Sequence, residues 1–512
     1  MKKIIFSIAL ACIVMGSLFA QPTEAIRIRE YVQDNEKTWL KEYLNFIRIP
    51  NLASDKISIQ QNATFIMDRM KKSGIQQVQL LEAGKSDVPP AIYGEVNVPG
   101  ATQTVVFYAH YDGQPVDSAQ WLPGWHPFKP LLIDSAPNRH FSVIKNYESY
   151  NTINPNWRIT GRGSADDKAG IFSIILAYES LRQLGITPTV NLRFFFEGEE
   201  EAGSTHLADI LTRYAPLLKS DGWIICDGPE HPSGRPVVYL GVRGDAGMEL
   251  TVYGSNRPLH SGHYGNWAPN PAFLLSRLLA SMKDDDGNVL IKGFYDQVTP
   301  LTEAEKKVVE SVPMIDSELQ KIYGFKRPES PNRSLAASLL LPSLNINGIQ
   351  SAATGKLASN IIPSIATATL DLRLVAGVDY QKQQQLIENH IREQGYFITG
   401  SAPTEEERAR YDKIIQVKRK SGYNAQRTPL QHPFAQKVIK ALNSASELPL
   451  VISPSMGGSL PLFIFEQYAN ALPITVPVAN FDNNQHAENE NMRIGNLWSG
   501  IRKMAGLMRM TP

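Results

Sequence analysis

Residues 161–204 read GRGSADDKAGIFSIILAYESLRQLGITPTVNLRFFFEGEEEAGS. A glycine-rich turn leads into an apolar segment at 169–184 that predicts a helix, and Gly185 ends it. The next apolar run, at 190–196, predicts a strand that is followed within a few residues by three consecutive glutamates. This stretch therefore predicts a helix and a strand with acidic residues placed at the ends of both.

Short apolar runs on either side of this stretch, at 105–108 and 223–226, predict further strands. Alternation of strands and helices indicates an α/β fold, in which a mostly parallel sheet carries helices on both faces. Ligands of such sheets bind at the carboxyl ends of the strands, so the residues after each strand are the candidates for function.

The sequence pattern changes near Pro236, where a smaller α+β unit is predicted. Its predicted elements are a strand at 247–253, strand-like runs on both sides of Asn360, and helices at 271–282 and 381–394. We predict a two-domain protein whose parts are a catalytic domain at 26–240 and 421–512 and an inserted α+β lid or dimerisation domain at 241–420. The polar stretch at 284–342 is interpreted as an insertion packed on the surface.

The N-terminus is typical of a secretory signal peptide. Lys2 and Lys3 precede an apolar run at 4–19 that ends at the small residue Ala20. Residues 1–20 are therefore predicted to be removed, which places the protein in the periplasm or outside the cell. A lipoprotein modified at Cys12 is disfavoured, because the apolar run continues past that cysteine. An uncleaved anchor is a further alternative, although the run is short for a spanning helix.

Charge and cysteine content exclude several classes of function. The 51 basic and 50 acidic residues nearly cancel, so the composition predicts no nucleic-acid partner and no membrane partner after signal cleavage. Removal of residues 1–20 takes Cys12 away and leaves Cys226. A disulfide within the mature chain is then excluded, and a metal would be held by His, Asp and Glu.

Histidines and acids follow the predicted strands or turns at five places. These are His110-Tyr111-Asp112, Asp166 in the turn at 161–168, the glutamates at 199–201, Asp227, and His486 in the loop at 483–488. Each alone is explained as well by a loop residue, a helix cap or a solvated turn. All five can meet at one edge of the predicted sheet, however, and gathered carboxylates and imidazoles are tolerated when a cation joins them.

In this order the motifs resemble the M20 metallopeptidases, a family of carnosinase-like dipeptidases, glutamate carboxypeptidases and aminoacylases. The resemblance covers nearly the whole mature chain and includes Leu259-His260-Ser261-Gly262. The stretches GRGSADDK and MGGSLP, the latter at 456–461, are most similar to the dipeptidase branch. The resemblance implies an exported two-metal amidohydrolase that cleaves the amide bond of dipeptides or the C-terminal residue of small peptides.

The resemblance also implies two divalent metal ions per subunit. The implied ligands of one ion are Asp166, Glu201 and His486, and those of the other are Asp166, His110 and Asp227. Glu200 would be the general base that activates a metal-bridging water, and Asp112 would support His110 and fix its tautomer. Zinc is the usual metal for such nitrogen and oxygen ligands, with manganese and cobalt as alternatives.

The remaining implied roles concern the substrate and a partner subunit. Arg373 would hold the carboxylate of a small peptide or acyl amino acid, and Ser459 would contact the same end. Asn360 matches a substrate-binding stretch, and His260 matches a lid histidine that reaches the partner's active site in a homodimer. The resemblance further implies a cis Asp166–Asp167 peptide bond. Leu274, Leu275 and Leu278 are expected to pack on their own domain's sheet.

Two other functions remain open at this stage. An N-acyl amino acid deacylase would have the same metal centre, so these motifs do not exclude it. A non-catalytic binding protein with the same fold is less favoured, because the base and all five ligands are present.

Overall fold

The structure is a computed structural model that describes residues 23–511. The predicted signal peptide, residues 1–20, lies outside the described residues. Among the helices at 23–511, none combines the length and the apolar character needed to cross a membrane.

Fifteen α-helices occur in the described part of the chain. Their bounds are α1 Glu24–Ile47, α2 Lys56–Lys72, α3 Lys168–Gln183, α4 Leu207–Arg213, α5 Ala215–Leu218, α6 Ser261–Tyr264, α7 Pro271–Ala280, α8 Glu303–Glu310, α9 Asp316–Tyr323, α10 Leu335–Ser338, α11 Tyr380–Glu393, α12 Glu405–Arg410, α13 Pro433–Ala445, α14 Leu462–Ala469 and α15 Ile494–Met508.

Twenty strands occur in the same residues. Their bounds are β1 Gln76–Leu81, β2 Ala91–Val96, β3 Thr104–His110, β4 Leu132–Ile133, β5 Arg158–Thr160, β6 Asn191–Glu197, β7 Gly222–Ile225, β8 Val237–Tyr239, β9 Gly241–Val242, β10 Gly244–Tyr253, β11 Leu259–His260, β12 Ser343–Gln350, β13 Ile361–Ile362, β14 Ile365–Leu374, β15 Phe397–Thr399, β16 Ile414–Tyr423, β17 Gln426–Arg427, β18 Val451–Ser453, β19 Pro473–Thr475 and β20 Asn491–Arg493.

The larger sheet has eight strands in the order β1-β2-β6-β3-β7-β19-β8-β18. Its central strands β6, β3, β7 and β19 all run parallel, so their carboxyl ends lie at the same edge. Four of the seven neighbouring pairs are parallel, which confirms the predicted α/β class with a mostly parallel central sheet.

Both faces of this sheet are covered, as the nearly continuous apolar character of its strands predicts. Along β3, Phe107 points into a core that also contains residues of α1, α3 and α15. Its neighbour Tyr108 points to the opposite face, where residues of α4 and α14 are buried. This alternation follows from the two-residue period of a strand.

A second, five-stranded sheet has the order β12-β14-β10-β16-β15 and lies within the chain between two parts of the first domain. Its core is formed with α7 and α11, and it buries Leu275 and Leu278 while Leu274 packs beside them. The expectation that these leucines pack on their own sheet is confirmed. The sheet runs from Gly244 to Tyr423, three residues beyond the predicted boundary at 420.

The stretch at 284–342 does not pack only on the surface, as the sequence interpretation had it. It contains α8, α9 and α10, and several of its apolar side chains line a cavity of about 920 Å³ that also contains Asp166 and His486. Helix α8 contacts β18, the edge strand of the larger sheet, so the stretch bridges the inserted domain and the catalytic sheet. Its polar composition reflects its outward face, where Lys306, Lys307 and Glu310 are exposed.

Candidate active site

His110 ends β3 at the carboxyl edge of the larger sheet and is fully buried. Its Nδ1 lies 3.1 Å from the backbone carbonyl of Asp112, and its Nε2 lies 3.0 Å from Oδ1 of Asp166. Because a carbonyl oxygen only accepts, Nδ1 carries a proton in every charge state. Nε2 is therefore the nitrogen that can lose its proton and bind a cation.

Asp166 is held by the turn that connects β5 to α3. Gly163 has a φ of +77°, and a β-carbon built on it would lie 2.7 Å from Nδ2 of Asn51, so the turn requires glycine at this position. The Asp166–Asp167 peptide bond is cis, as the resemblance implies.

Glu490, which belongs to none of the sequence motifs, organises this turn. Its buried carboxylate accepts hydrogen bonds from the backbone N–H groups of Gly163, Ala165 and Asp166 at 3.1, 2.8 and 3.1 Å. It also accepts a hydrogen bond from Nη1 of Arg162 at 2.7 Å. No sequence signal separates Glu490 from its neighbour Glu488, because the donors come from a loop more than 300 residues earlier in the chain.

The three glutamates after β6 point in different directions. Glu199 bonds to Nδ1 of His206 at 3.0 Å and does not line the cavity. Glu200 and Glu201 form a short 3-10 turn, closed by Gly203 with a φ of +89°, and both line the cavity. The choice of Glu200 and Glu201 over Glu199 therefore agrees with the geometry.

Asp112 connects the histidine to these glutamates. Its carboxylate accepts hydrogen bonds from the backbone N–H groups of Glu200 and Glu201 at 3.1 and 3.0 Å. Its Oδ1 also lies 3.4 Å from Nδ1 of His110. The motifs predict a contact of Asp112 with the imidazole only, whereas its carboxylate mainly orients the glutamate turn.

The five predicted metal ligands and the predicted base, six residues in all, meet in this region. Ligand atoms of His110, Asp166 and Asp227 lie within 4.8 Å of one another, and so do those of Asp166, Glu201 and His486. Asp166 belongs to both groups, with Oδ1 toward His110 and Oδ2 at 3.0 Å from Nε2 of His486. Glu200 lies beside them, 4.0 Å from Nε2 of His110.

The electrostatics of this cluster favour cations. Burial and the neighbouring Asp166 carboxylate raise the pKa of Glu201 to about 8 and that of Asp227 to about 6. Burial also acts to raise the pKa of Asp166, but hydrogen bonds with His110 and His486 outweigh it and hold that pKa well below its usual range. Divalent cations would relieve the repulsion that these buried carboxylates exert on one another. Two imidazoles and three carboxylates, one of them shared, form a donor set that fits two such ions.

Arg373 and Ser459 lie together in the same cavity, which has a volume of about 920 Å³. Nη1 of Arg373 donates to Oγ of Ser459 at 2.9 Å. Arg373 comes from β14 of the inserted domain and Ser459 from the loop before α14 of the catalytic domain. The guanidinium also lies 3.3 Å from Asp371 and 3.7 Å from Asp245, which holds its orientation.

His260 and Asn360 are not brought to this cavity. Neither is among the described residues that line it, and both are exposed on the inserted domain. They are close to each other, because β11 pairs with β13 and the N–H of Ser261 donates to the carbonyl of Asn360 at 3.0 Å. The Nδ1 atom of His260 accepts a hydrogen bond from the N–H of Gly262 at 3.1 Å.

Comparison with known proteins assigns the chain to a family. The profile described as "Peptidase family M20/M25/M40" matches residues 106–510. The protein belongs to this peptidase family. It is therefore a hydrolase, and the resemblance drawn from the motifs is confirmed.

Relatives of this M20 peptidase are similar over most of their length. The chain is 27% identical over 492 residues to Cys-Gly metallodipeptidase DUG1 of Saccharomyces cerevisiae. This match covers 90% of this chain and 93% of that protein. It is 26% identical over 451 residues to Beta-Ala-His dipeptidase of Mus musculus, with 85% and 83% covered.

A solved structure of the family is also similar. It is the M20 family metallo-carboxypeptidase Sso-CP2 from Sulfolobus solfataricus, which superimposes with a TM-score of 0.71 at 26% identity. The match covers 92% of this chain and 98% of that one.

Proposed function

We propose that this M20 enzyme is an exported dipeptidase that uses two divalent metal ions to hydrolyse dipeptides or remove the C-terminal residue of small peptides. The observation that carries the proposal is the position of Asp166, which is shared by two ligand groups in a cavity that also contains Arg373. The relatives named as Cys-Gly and Beta-Ala-His dipeptidases support dipeptides as the substrate class.

The metal ligands divide into two sets around Asp166. Glu201 and His486 would complete one ion's site, while His110 and Asp227 would complete the other. When bound, the two cations supply Lewis-acid polarisation of the scissile carbonyl and make a water molecule more acidic. Zinc suits these imidazole and carboxylate ligands, and manganese or cobalt would also fit.

Glu200 is the proposed general base. Among the described residues, no protein group donates a hydrogen bond to its side chain, whereas Glu201 accepts one from Gln114 at 2.7 Å. Burial raises the pKa of Glu200 well above its usual value, and the neighbouring carboxylates of Asp227 and Glu201 act in the same direction. Glu200 would take a proton from the attacking water and deliver it to the leaving amine.

Arg373 and Ser459 would bind the substrate's terminal carboxylate. The guanidinium fork forms charge-assisted hydrogen bonds with a carboxylate, and the Ser459 hydroxyl can turn from Arg373 toward the same group. This contact would place the scissile bond between the carboxylate subsite and Glu200.

The test is an activity panel combined with metal analysis. The protein without residues 1–20 is loaded with zinc, manganese or cobalt and assayed with dipeptides and with N-acetyl amino acids. We expect a higher kcat/KM for dipeptides. Faster release of acetate would favour the deacylase, and no turnover at full metal content would favour a non-catalytic binding protein.

Export is part of the proposal and rests on the predicted signal peptide at 1–20. N-terminal sequencing of the protein purified from producing cells should give Gln21 as the first residue. Protein that retains residues 1–20 and stays in the cytoplasm would contradict this part of the proposal.

A homodimer is proposed through the inserted domain, with His260 serving the partner's cavity. Strand β12 is an edge of the five-stranded sheet, and it exposes Ile346 and Ile349. An exposed edge strand with apolar side chains is suited to pairing with a second chain. Exposure of His260 outside its own cavity agrees with a role across such an interface.

The dimer is tested by sedimentation and by mixing two inactive variants. His260→Ala chains and Asp166→Ala chains should each be inactive, and mixed dimers should regain part of the activity. No recovery, despite demonstrated subunit exchange, would mean that each chain does not depend on its partner's histidine.

A further inference from the structure

Residues 301–342, here called the wall segment, form the side of the cavity that carries no metal-ligand candidates. The segment contains α8, α9 and α10. It contributes mostly apolar side chains to the cavity lining, among them Val309, Val312, Met314, Leu319, Leu335 and Leu339. One cavity thus combines this apolar wall with a charged wall, whose residues are Asp166, Glu200, Glu201, Asp227 and His486.

Apolar side chains of the wall segment are left open to the cavity. Met314 is 77% exposed and Leu335 is 40% exposed, and α10 buries none of its residues. A group of exposed apolar side chains in a concave site is typical of a ligand-binding surface.

The wall segment contributes few charged side chains to the cavity lining. Asp316 is its one charged lining residue, and Oδ1 of that carboxylate accepts a hydrogen bond from the backbone N–H of Leu335 at 2.7 Å. The carboxylate therefore joins the start of α10 to the start of α9. Ser334 and Tyr323 add hydroxyl groups to the lining, but a substrate group that faces this wall meets mostly hydrocarbon.

The wall segment is joined directly to the proposed carboxylate subsite. A β-carbon built on Gly457 would lie 3.1 Å from Cδ2 of Leu339, so Leu339 packs against the loop that carries Ser459. The buried guanidinium of Arg243 donates to the carbonyls of Leu341 and Arg373 at 2.9 and 3.2 Å. These contacts position the apolar wall beside the C-terminal residue of a bound peptide, whose carboxylate Arg373 would hold.

We infer that the wall segment is the specificity element of this site and that it binds a large apolar side chain on the C-terminal residue of the peptide. The inference rests on the proposed function and adds the substrate class to it. The preferred peptides would end in leucine, methionine or phenylalanine. A glycine at this position would leave the wall uncovered.

The test compares peptides that differ only in the C-terminal residue. For the metal-loaded wild type we expect kcat/KM for Ala-Leu and Ala-Phe to exceed that for Ala-Gly by at least about tenfold, since each buried carbon group contributes to discrimination. Met314→Gln and Leu335→Asn should each lower the ratio of Ala-Leu to Ala-Gly by about tenfold.

Ile322→Gln is the matched control. Ile322 lies on α9 and is 55% exposed, but it does not line the cavity. Its substitution should leave the ratio unchanged. Equal kcat/KM values for Ala-Leu and Ala-Gly in the wild type, or an equal change of the ratio in all three variants, would overturn the inference.

If the proposed dipeptidase function is wrong, the experiment gives a result that differs from both outcomes above. In that case the dipeptides would not be hydrolysed, and N-acetyl-leucine and N-acetyl-glycine would replace them in the same comparison. If neither class is hydrolysed, calorimetric titration of the metal-loaded protein with Ala-Leu and Ala-Gly replaces kinetics. Equal affinity of the wild type for both would overturn the inference, and at least tenfold tighter binding of Ala-Leu that is lost in Met314→Gln would support it.

Discussion

The charged wall and the wall segment face the same cavity but are held in place by different means. Asp166 is 4% exposed and its turn is held by several hydrogen bonds from the backbone to Glu490, whereas Met314 is 77% exposed. In the charged wall, the glutamates and Asp227 follow the parallel strands β6 and β7, while Asp166 lies in the turn between β5 and α3; the wall segment contains three short helices. Catalysis needs groups held in a fixed geometry, while recognition of a side chain tolerates change in the recognising surface.

The largest effect is expected when the shared ligand is removed. Asp166→Ala should abolish metal binding and reduce activity to background, because both proposed sites lose a ligand. Metal content measured by mass spectrometry and kcat measured in the same preparation check this. Asp285→Ala, an exposed acid on the inserted domain, should change neither. Full metal content in Asp166→Ala would remove that residue from the proposed ligand set.

Glu200→Gln separates the base from the ligands. We expect metal content near that of the wild type and a kcat lower by about a hundredfold or more, because proton transfer is lost. Glu199→Gln is the matched control, since Glu199 bonds to His206 outside the cavity. A large loss in Glu199→Gln with ordinary turnover in Glu200→Gln would reverse the assignment.

Glu490→Gln tests whether the turn that carries Asp166 needs its buried carboxylate. Neutralising Glu490 weakens the hydrogen bonds to the turn and to Arg162, so metal affinity should fall by about 10- to 100-fold. Chelator competition measures this affinity, and Glu488→Gln in the same loop is the control. A changed melting temperature with unchanged metal affinity would indicate a purely structural role for Glu490.

Arg373→Met tests the proposed carboxylate subsite, which lies between the charged wall and the wall segment. It removes a charge-assisted contact worth about 1.5–3 kcal/mol, so kcat/KM should fall by roughly 10- to 100-fold while metal content is retained. Arg373→Lys should recover only part of the loss, because a lysine lacks the planar fork. An unchanged KM in Arg373→Met would place the substrate carboxylate elsewhere.

The smallest effect is expected on the free energy of unfolding when an exposed residue of the wall segment is substituted. Met314→Gln should change the free energy of unfolding by less than about 0.5 kcal/mol, because the side chain is already exposed. Leu275→Ala in the buried core of the inserted domain should cost about 2–5 kcal/mol in the same denaturant titration. Similar losses in both variants would show that the wall segment is as tightly packed as the core.

The amino-acid sequence by itself determined the fold class and the meeting point of the charged residues. Alternating strands and helices require a mostly parallel sheet, and residues that follow parallel strands must gather at one edge. His110 and Asp227 could be placed there from the strands alone. The choice of Glu200 over Glu199 came from the motif, because three adjacent glutamates carry no periodic signal.

Only the tertiary structure decided which distant groups support that site and which surface faces it. Glu490 acts on backbone N–H groups, which have no signature in the sequence. The wall segment shows the same limit, because an amphipathic pattern reveals that one face is apolar but does not tell whether that face covers a core or lines a cavity. The contacts of Leu339 and Arg243 decide this, and they depend on how the two domains pack together.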